Sequence, residues 1–211
     1  MIKRRSALAA HPKMMTAPAP APASPPAPAG QTIAIEPSPL ELSERHGLAV
    51  LQVSAFASTS THAQTLLAAA LDLPAPAGNR FSGTAGKSLR CVAPGVWLIV
   101  GPSHGLPTAA SLRAQLGAFA TVVDLSHARC ALQLRGAAAS RTLAKYCGLD
   151  LDLSAFPTGS ATNTRFGHIG MHLARTDDLP TFELLVFRGY AEFVFEALCD
   201  GAAEFGFRVR P

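Results

Sequence analysis

Short apolar runs alternate with helical patterns along most of this chain, and a similar order of elements occurs twice. In the first half, the pattern predicts strands over about 48–53, 89–92, 96–100 and 122–125, with helices over about 64–71 and 107–119. Ser60 and Thr61 are suited to cap the first helix, and Pro94-Gly95 predicts a turn. The resulting order, β-α-β-β-α-β, predicts a ferredoxin-like split arrangement.

The second half repeats the alternation and ends in the clearest helical pattern of the chain. Strands are predicted at about 130–134, 169–173 and 182–187, and a helix of small residues follows Gly136. We therefore predict an α+β fold of two ferredoxin-like lobes with mixed sheets, over about 47–121 and 122–207. In the last helix, apolar residues recur at the spacing of a single stripe, which favours core packing; they are Tyr190, Phe193, Val194, Ala197, Leu198, Gly201, Ala202 and Phe205.

Residues 1–30 have a composition that opposes regular structure. Proline alternates with alanine between Pro18 and Pro28, and proline is excluded from helix interiors and from central positions of a sheet. We predict a disordered Pro/Ala-rich tail over 1–30. Residues 31–46, which still contain Pro37 and Pro39, are predicted to form an extended arm that lies over the domain or reaches a partner.

The charge of the chain argues against binding to nucleic acid. The net charge is +4 and the pI is near 9.1, but four basic residues lie in the first thirteen positions. Without them, the remainder is close to neutral, and no stripe of lysine and arginine marks a nucleic-acid footprint. The four basic residues are Lys3, Arg4, Arg5 and Lys13.

The cysteines and the apolar runs indicate a cytoplasmic protein. Cys91, Cys130, Cys147 and Cys199 are widely spaced among apolar neighbours, which predicts reduced, buried thiols rather than a zinc or redox motif. No apolar run approaches the roughly 18 residues needed to cross a bilayer. The apolar stretch after Arg5 is too short for an export signal.

Two short patterns imitate active sites but have simpler explanations. Gly86-Lys87-Ser88 lacks the first glycine of a phosphate-binding loop, because Phe81 occupies that position, and it predicts a surface turn. Asp124, Ser126 and His127 contain the residue types of a catalytic triad. Their adjacency favours a strand end and turn with local hydrogen bonds, since neighbours on a strand point to opposite faces.

The histidines and carboxylates do not define a site either. His168 and His172 would share a strand face, and without a third ligand nearby they favour a polar face at a subunit interface over zinc. Asp150 and Asp152 flank Leu151, and the pair at 177–178 predicts a hairpin turn. We assign no catalytic, cofactor-binding or metal-ligating residue from the sequence.

Four short motifs give the chain a resemblance to a known family. In order, they are Leu149-Asp150-Leu151, Phe156-Pro157-Thr158-Gly159, Thr164-Arg165 and Arg188-Gly189-Tyr190-Ala191. Their order and spacing resemble the gamma subunit of heterotetrameric sarcosine oxidase, a relative of the folate-binding aminomethyltransferase fold. The resemblance covers about 47–207 and departs from the family pattern where Asn163 replaces glutamine and Gly189 replaces serine. It implies aminomethyltransferase-like lobes.

The resemblance implies a subunit without chemistry of its own. Its partners would be the alpha, beta and delta subunits, which would hold FAD, FMN, NAD, tetrahydrofolate and zinc. The complex would demethylate sarcosine to glycine, pass the one-carbon unit to tetrahydrofolate and produce hydrogen peroxide. Three alternatives remain open: the equivalent subunit of a related N-methyl amino-acid dehydrogenase, a stand-alone folate-binding aminomethyltransferase-like protein, and an adaptor that uses the Pro-rich tail.

Overall fold

The computed structural model describes residues 6–9, 11–15, 40–84 and 86–210. Within these residues, eleven strands form two sheets, and helices cover one face of each sheet. In chain order the elements are α1 (Pro12–Met15), β1 (Leu40–Glu44), β2 (Leu48–Ala55), α2 (Ser60–Leu71), β3 (Phe81–Gly83), β4 (Ser88–Ala93), β5 (Val96–Pro102), α3 (Ala109–Leu116), β6 (Ala120–Asp124), β7 (Arg129–Arg135), α4 (Ala139–Ala144), β8 (Ala161–Phe166), β9 (Ile169–Asp177), β10 (Thr181–Phe187), α5 (Ala191–Ala202) and β11 (Phe207–Arg210).

The two sheets share one strand order, which confirms the predicted pair of ferredoxin-like lobes. The first sheet has the order β3-β4-β5-β2-β6, and the second, read in the same direction, has the order β8-β9-β10-β7-β1-β11. Strand for strand they correspond, except that β1 is inserted between β7 and β11. The first sheet is antiparallel throughout, and the second is mixed because β1 runs parallel to β11.

Strand β1 comes from the segment that we predicted to be an arm. Its residues alternate between buried and half-buried, with Leu40 and Leu42 in the core of the second sheet. Pro37 and Pro39 suggested an arm because proline cannot join a ladder, but the strand begins directly after Pro39.

The boundary between the two lobes lies in the loop 125–128 rather than near residue 121. Strand β6, which ends at Asp124, pairs with β2 and therefore belongs to the first sheet.

Residues 6–9 and 11–15 differ from the predicted disordered tail. Leu8 is almost fully buried in the core of the second sheet. The carboxylate of Glu44 accepts hydrogen bonds from the backbone N–H groups of Ala7 and Leu8, at 3.1 and 3.2 Å, and from the Ser6 hydroxyl. This segment is therefore anchored to the end of β1. The Pro/Ala-rich stretch that follows it lies outside the described residues.

Three apolar clusters hold the layers together. One fills the space between the first sheet and α2 and α3, and another fills the space between the second sheet and α4 and α5. The third joins the two sheets face to face and is small. Its buried members are Leu48, Val50, Leu98, Val100, Ala131 and Leu185.

A charged cluster is buried in the same contact between the sheets. Glu183 and Arg90 are fully buried, and Arg90 Nη2 donates to Glu183 Oε1 at 2.5 Å. The second carboxylate oxygen accepts from Arg45. Burial alone would raise the pKa of Glu183, but the two guanidinium groups outweigh it and hold that pKa below its usual range. Glu183 is therefore ionised and links β10 to β4 and to the end of β1.

Replacing Glu183 with glutamine should destabilise the chain far more than the same change at the surface. Glu183→Gln leaves Arg90 as an uncompensated buried charge, so we expect a loss of about 3 kcal/mol in the free energy of unfolding. Glu41→Gln is the matched control, because its partner Arg210 is largely exposed, and we expect less than about 1 kcal/mol there. Urea unfolding of the purified variants measures both. Equal losses would contradict the role given to the buried cluster.

Candidate functional site

The segment Gly86-Lys87-Ser88, which resembles part of a phosphate-binding loop, lies in a turn, as predicted. Lys87 Nζ donates to the carbonyl oxygen of Leu71 at 2.7 Å, and Ser88 is the buried first residue of β4. A phosphate-binding loop opens a helix whose N–H groups face the anion. A strand follows here instead, so the lysine holds the turn against the end of α2.

The triad-like residues also form a turn. The backbone N–H of Ser126 donates to Asp124 Oδ1 at 2.9 Å, and Ser126 Oγ accepts from the N–H of Val50 at 2.9 Å. His127 is exposed. These residues close the connection between β6 and β7, and the turn interpretation is confirmed.

His168 and His172 are separated by the structure. His168 is exposed in the turn between β8 and β9, whereas His172 is buried within this chain, on the face of β9 that lies opposite the core residues Ile169, Met171 and Leu173. Its Nδ1 lies 3.0 Å from Asn163 Oδ1. Burial, reinforced by nearby Arg90 and Arg129, lowers the pKa of His172 to about 3. His172 is thus a neutral internal group and not part of the predicted polar face at a subunit interface.

The carboxylates named above accept local hydrogen bonds in loops and turns, and most of the cysteine thiols are buried. Asp152 accepts from Ser154 within a loop, and Asp178 accepts from Thr158 in the predicted hairpin turn after β9. All four cysteines are free, and three are buried. Burial, together with Glu44, raises the pKa of Cys130 well above its ordinary value, and burial raises the pKa of Cys199 to about 11. Neither of these two thiols is an activated nucleophile.

One cluster has the residue types of a metal site. The ligand atoms of His11, Glu192 and Glu196 lie within 4.8 Å of one another. However, His11 Nδ1 accepts from the backbone N–H of Lys13 at 3.2 Å, so the neutral ring carries its proton on Nε2, which faces Glu196 Oε1 at 3.3 Å. A protonated nitrogen has no lone pair for a metal. The cluster instead ties the N-terminal segment to α5.

A small cleft of about 60 Å³ opens where β1, β2, β7 and the end of β10 meet. Three arginines and one carboxylate line it. One of the arginines, Arg45, donates to the buried carboxylate of Glu183. The carboxylate of Glu44 already accepts three hydrogen bonds from residues 6–8. The charged lining residues are Glu44, Arg45, Arg129 and Arg188.

Three exposed aromatic side chains lie close in sequence to Arg188 of the cleft. Phe187, Tyr190 and Phe193 are each about half exposed, although the stripe predicted for the last helix placed Tyr190 and Phe193 in the core. The buried face of α5 is rotated from the predicted one and uses Val194, Phe195, Leu198 and Cys199. Because α5 carries apolar residues on two faces, spacing alone could not identify the face that packs. The guanidinium of Arg129, which lines the cleft, lies 3.7 Å from the centroid of the Phe187 ring.

The family motifs hold a loop against the second sheet. Leu151 and Phe156 are buried, and Arg175 Nη1 donates to both of their carbonyl oxygens, at 3.2 and 3.3 Å. The fourth motif leads into α5 and supplies Arg188 to the cleft and the half-exposed Tyr190. The first two motifs are therefore signatures of folding, and the last one shapes an exposed surface.

Comparison with known proteins decides the family. The model of the sarcosine oxidase, gamma subunit family matches residues 53–204. The chain belongs to this family. The sarcosine oxidase subunit gamma of Arthrobacter sp is 32% identical over 155 residues, covering 72% of this chain and 75% of the relative. The corresponding subunit of Corynebacterium sp. (strain U-96) is 28% identical over 156 residues, covering 74% and 75%.

Solved structures agree with the family assignment. A chain of the heterotetrameric sarcosine oxidase from Corynebacterium sp. U-96, solved in complex with pyrrole 2-carboxylate, matches with a TM-score of 0.76 and 26% identity, covering 96% of both chains. The glycine cleavage system aminomethyltransferase T from Bartonella henselae matches with a TM-score of 0.60 and 18% identity, covering 83% of this chain and 48% of that chain. The second match shows the predicted aminomethyltransferase-like fold alone.

No helix in the described part of this family member has the length and apolar character that crossing a bilayer requires.

The buried His172 should make stability depend on pH. The pKa of His172 is about 3 in the folded chain and about 6.5 when unfolded, so between about pH 3 and pH 6.5 the unfolded state binds the proton and the folded state does not. From pH 7 to pH 5, this removes about 2 kcal/mol of stability. We expect His172→Gln to abolish that part of the loss in urea unfolding series, whereas His127→Gln, at an exposed position, should retain it. Identical pH dependence in both variants would refute the assignment.

Proposed function

We propose that this chain is the gamma subunit of a heterotetrameric sarcosine oxidase. The observation that carries the proposal is the match to a chain of such an enzyme across 96% of both chains, with a TM-score of 0.76. The family match over residues 53–204 supports it independently. The complex would contain alpha, beta and delta subunits and would lie in the cytoplasm.

The reaction of the complex would be the oxidative demethylation of sarcosine to glycine. The one-carbon unit would pass to tetrahydrofolate, and hydrogen peroxide would be produced. FAD, FMN, NAD, tetrahydrofolate and zinc would be bound by the partner subunits. The role of this chain would be structural, because the polar groups described above are occupied in turns, in the contact between the sheets and in anchoring the N-terminal segment.

The lining of a second groove, on the first sheet, favours this role over folate binding by the chain itself. The groove holds about 550 Å³ between the loop 76–79, the turn at 93–95 and Trp97, and every side chain that lines it is uncharged. Folate carries carboxylates, which form their strongest hydrogen bonds with cationic side chains, and no cationic side chain lines this groove. The aminomethyltransferase likeness is a likeness of fold and gives no second support to a stand-alone transferase.

Co-expression with the alpha, beta and delta subunits from the same source tests the proposal. We expect one yellow complex that contains all four chains by native mass spectrometry and produces hydrogen peroxide when sarcosine is added. This chain purified alone should turn over no sarcosine. A four-chain complex that oxidises an N-methyl amino acid without peroxide would favour the dehydrogenase alternative. A chain that joins no complex and binds tetrahydrofolate alone would overturn the proposal.

A further inference from the structure

The N-terminal segment, residues 6–9 and 11–15, contacts the second lobe in the way that a bound peptide would. Its partners are β1, α5 and β11, which all lie far from it in sequence. Residues 16–39 separate it from β1, a spacer longer than the loops that normally join neighbouring elements. None of its described residues belongs to a strand of either sheet. The segment can therefore leave its position without breaking a sheet ladder.

A buried leucine is the first anchor of this segment. Leu8 is 1% exposed and belongs to the apolar cluster beneath α4 and α5. Ala7 packs against the same cluster, whereas Ala9 is exposed. The backbone N–H of His11 closes a turn by donating to the Leu8 carbonyl oxygen at 2.9 Å. Removal of the leucine side chain from water supplies attraction between the segment and the lobe.

The carboxylate of Glu44, at the end of β1, is the second anchor. It accepts from the backbone N–H groups of Ala7 and Leu8 and from the Ser6 hydroxyl. Hydrogen bonds to carboxylates are among the strong ones in proteins, and each has a preferred direction. Because two of the donors are backbone groups, these bonds fix the direction in which the segment runs.

The remainder of the contact joins basic residues of the segment to acidic residues of α5. Nε2 of His11 lies 3.3 Å from Glu196 Oε1, and the His11 ring meets the Phe195 ring edge-on, with centroids 4.9 Å apart. Lys13 Nζ lies 3.5 Å from Asp200 Oδ1. The second pair is largely exposed and adds little affinity. Together the carboxylates favour a basic peptide over an acidic one.

We propose that the surface formed by Glu44, Phe195, Glu196 and Asp200, with the pocket for Leu8, is a peptide-binding site that the N-terminal segment closes as a detachable plug. The site recognises the pattern Ser-x-Leu-x-x-His, which residues 6–11 present. While the plug is docked, a second peptide of the same pattern is excluded. The inference goes beyond the proposed function and does not involve the other subunits.

A binding experiment on the full chain tests whether this surface is a peptide site. A fluorescent peptide of residues 6–15 is titrated with the wild-type chain and with the Leu8→Asp chain, and fluorescence anisotropy measures binding. An unpaired charge is costly to bury, so Leu8→Asp should displace the chain's own segment. We expect the peptide to bind the Leu8→Asp chain at least tenfold more tightly than the wild-type chain, whose site is occupied.

Two controls separate displacement from misfolding. Ala9→Asp introduces the same charge at the exposed neighbouring position, so that chain should bind the peptide as weakly as wild type. In the Leu8→Asp chain, hydrogen exchange should be at least tenfold faster at the Ala7 N–H and unchanged in β9 and β10. If protection is lost there as well, His11→Asp takes its place, because it repels Glu196 and leaves Leu8 apolar.

A pair of changes on β1 tests how the segment is recognised. In the Leu8→Asp chain, adding Glu44→Gln should weaken peptide binding at least tenfold, because an amide replaces one of the two acceptor oxygens with a donor. Glu41→Gln makes the same change on the same strand, where Glu41 is bonded to Arg210 instead. It should leave binding of the peptide unchanged.

The outcomes decide the inference without reference to the other subunits. If the peptide binds the wild-type and Leu8→Asp chains with equal affinity, the plug does not occupy the site, and the inference is wrong. A folded Leu8→Asp chain that does not bind the peptide would also overturn it, because the segment would then be an inseparable part of the lobe. Equal opening by Ala9→Asp would contradict the role given to Leu8. None of these results bears on the proposed function.

Discussion

The bond between Glu183 and Arg90 determines how the two sheets of this chain face each other. Two sheets that pack through a small apolar cluster could slide over one another, since apolar contact has little directionality. A carboxylate held by two guanidinium groups has a defined geometry, because each hydrogen bond fixes a direction as well as a distance. The apolar cluster supplies attraction between the sheets, and the charged cluster fixes their position relative to each other. The shape of the cleft at the edge of this contact depends on that relative position.

The N-terminal segment and the charged cluster meet at the end of β1. Glu44 anchors residues 6–8, and the next residue, Arg45, reaches Glu183. One short stretch of chain thereby connects the N-terminal segment, the second sheet and the contact between the sheets. The same stretch lines the cleft, so hydrogen bonds of Glu44 and Arg45 hold the wall of the cleft in place.

The sequence allowed the order of most elements to be predicted, because strands such as β5 and β10 are apolar on both faces and are bounded by turn residues. It did not reveal β1, since two prolines just before that strand suggested an arm. It also misjudged which face of α5 is buried, because Phe193 and Phe195 are both apolar and only the tertiary packing distinguishes them. The pairing of Arg90 with Glu183 spans 93 positions and leaves no local pattern. The exposure of Tyr190 and Phe193 was also missed, because it depends on how α5 is rotated.

The position of β1 has a consequence for the order in which the chain can fold. Strands β1 and β7 are neighbours in the second sheet, yet the whole first sheet lies between them in sequence. The first lobe is in effect an insertion within a hairpin of the second lobe. As the chain leaves the ribosome, the first lobe has all of its strands by Asp124, whereas β1 must wait for β7 and β11, and its parallel partner ends only at Arg210. Until β7 has been made, β1 presents unpaired edges on both sides, and the edge that pairs with β11 stays open until that strand follows. Unpaired strand edges of this kind are where unfinished chains pair wrongly. A first lobe that closes early keeps the two ends of this split sheet near each other and shortens the search for the missing pairings.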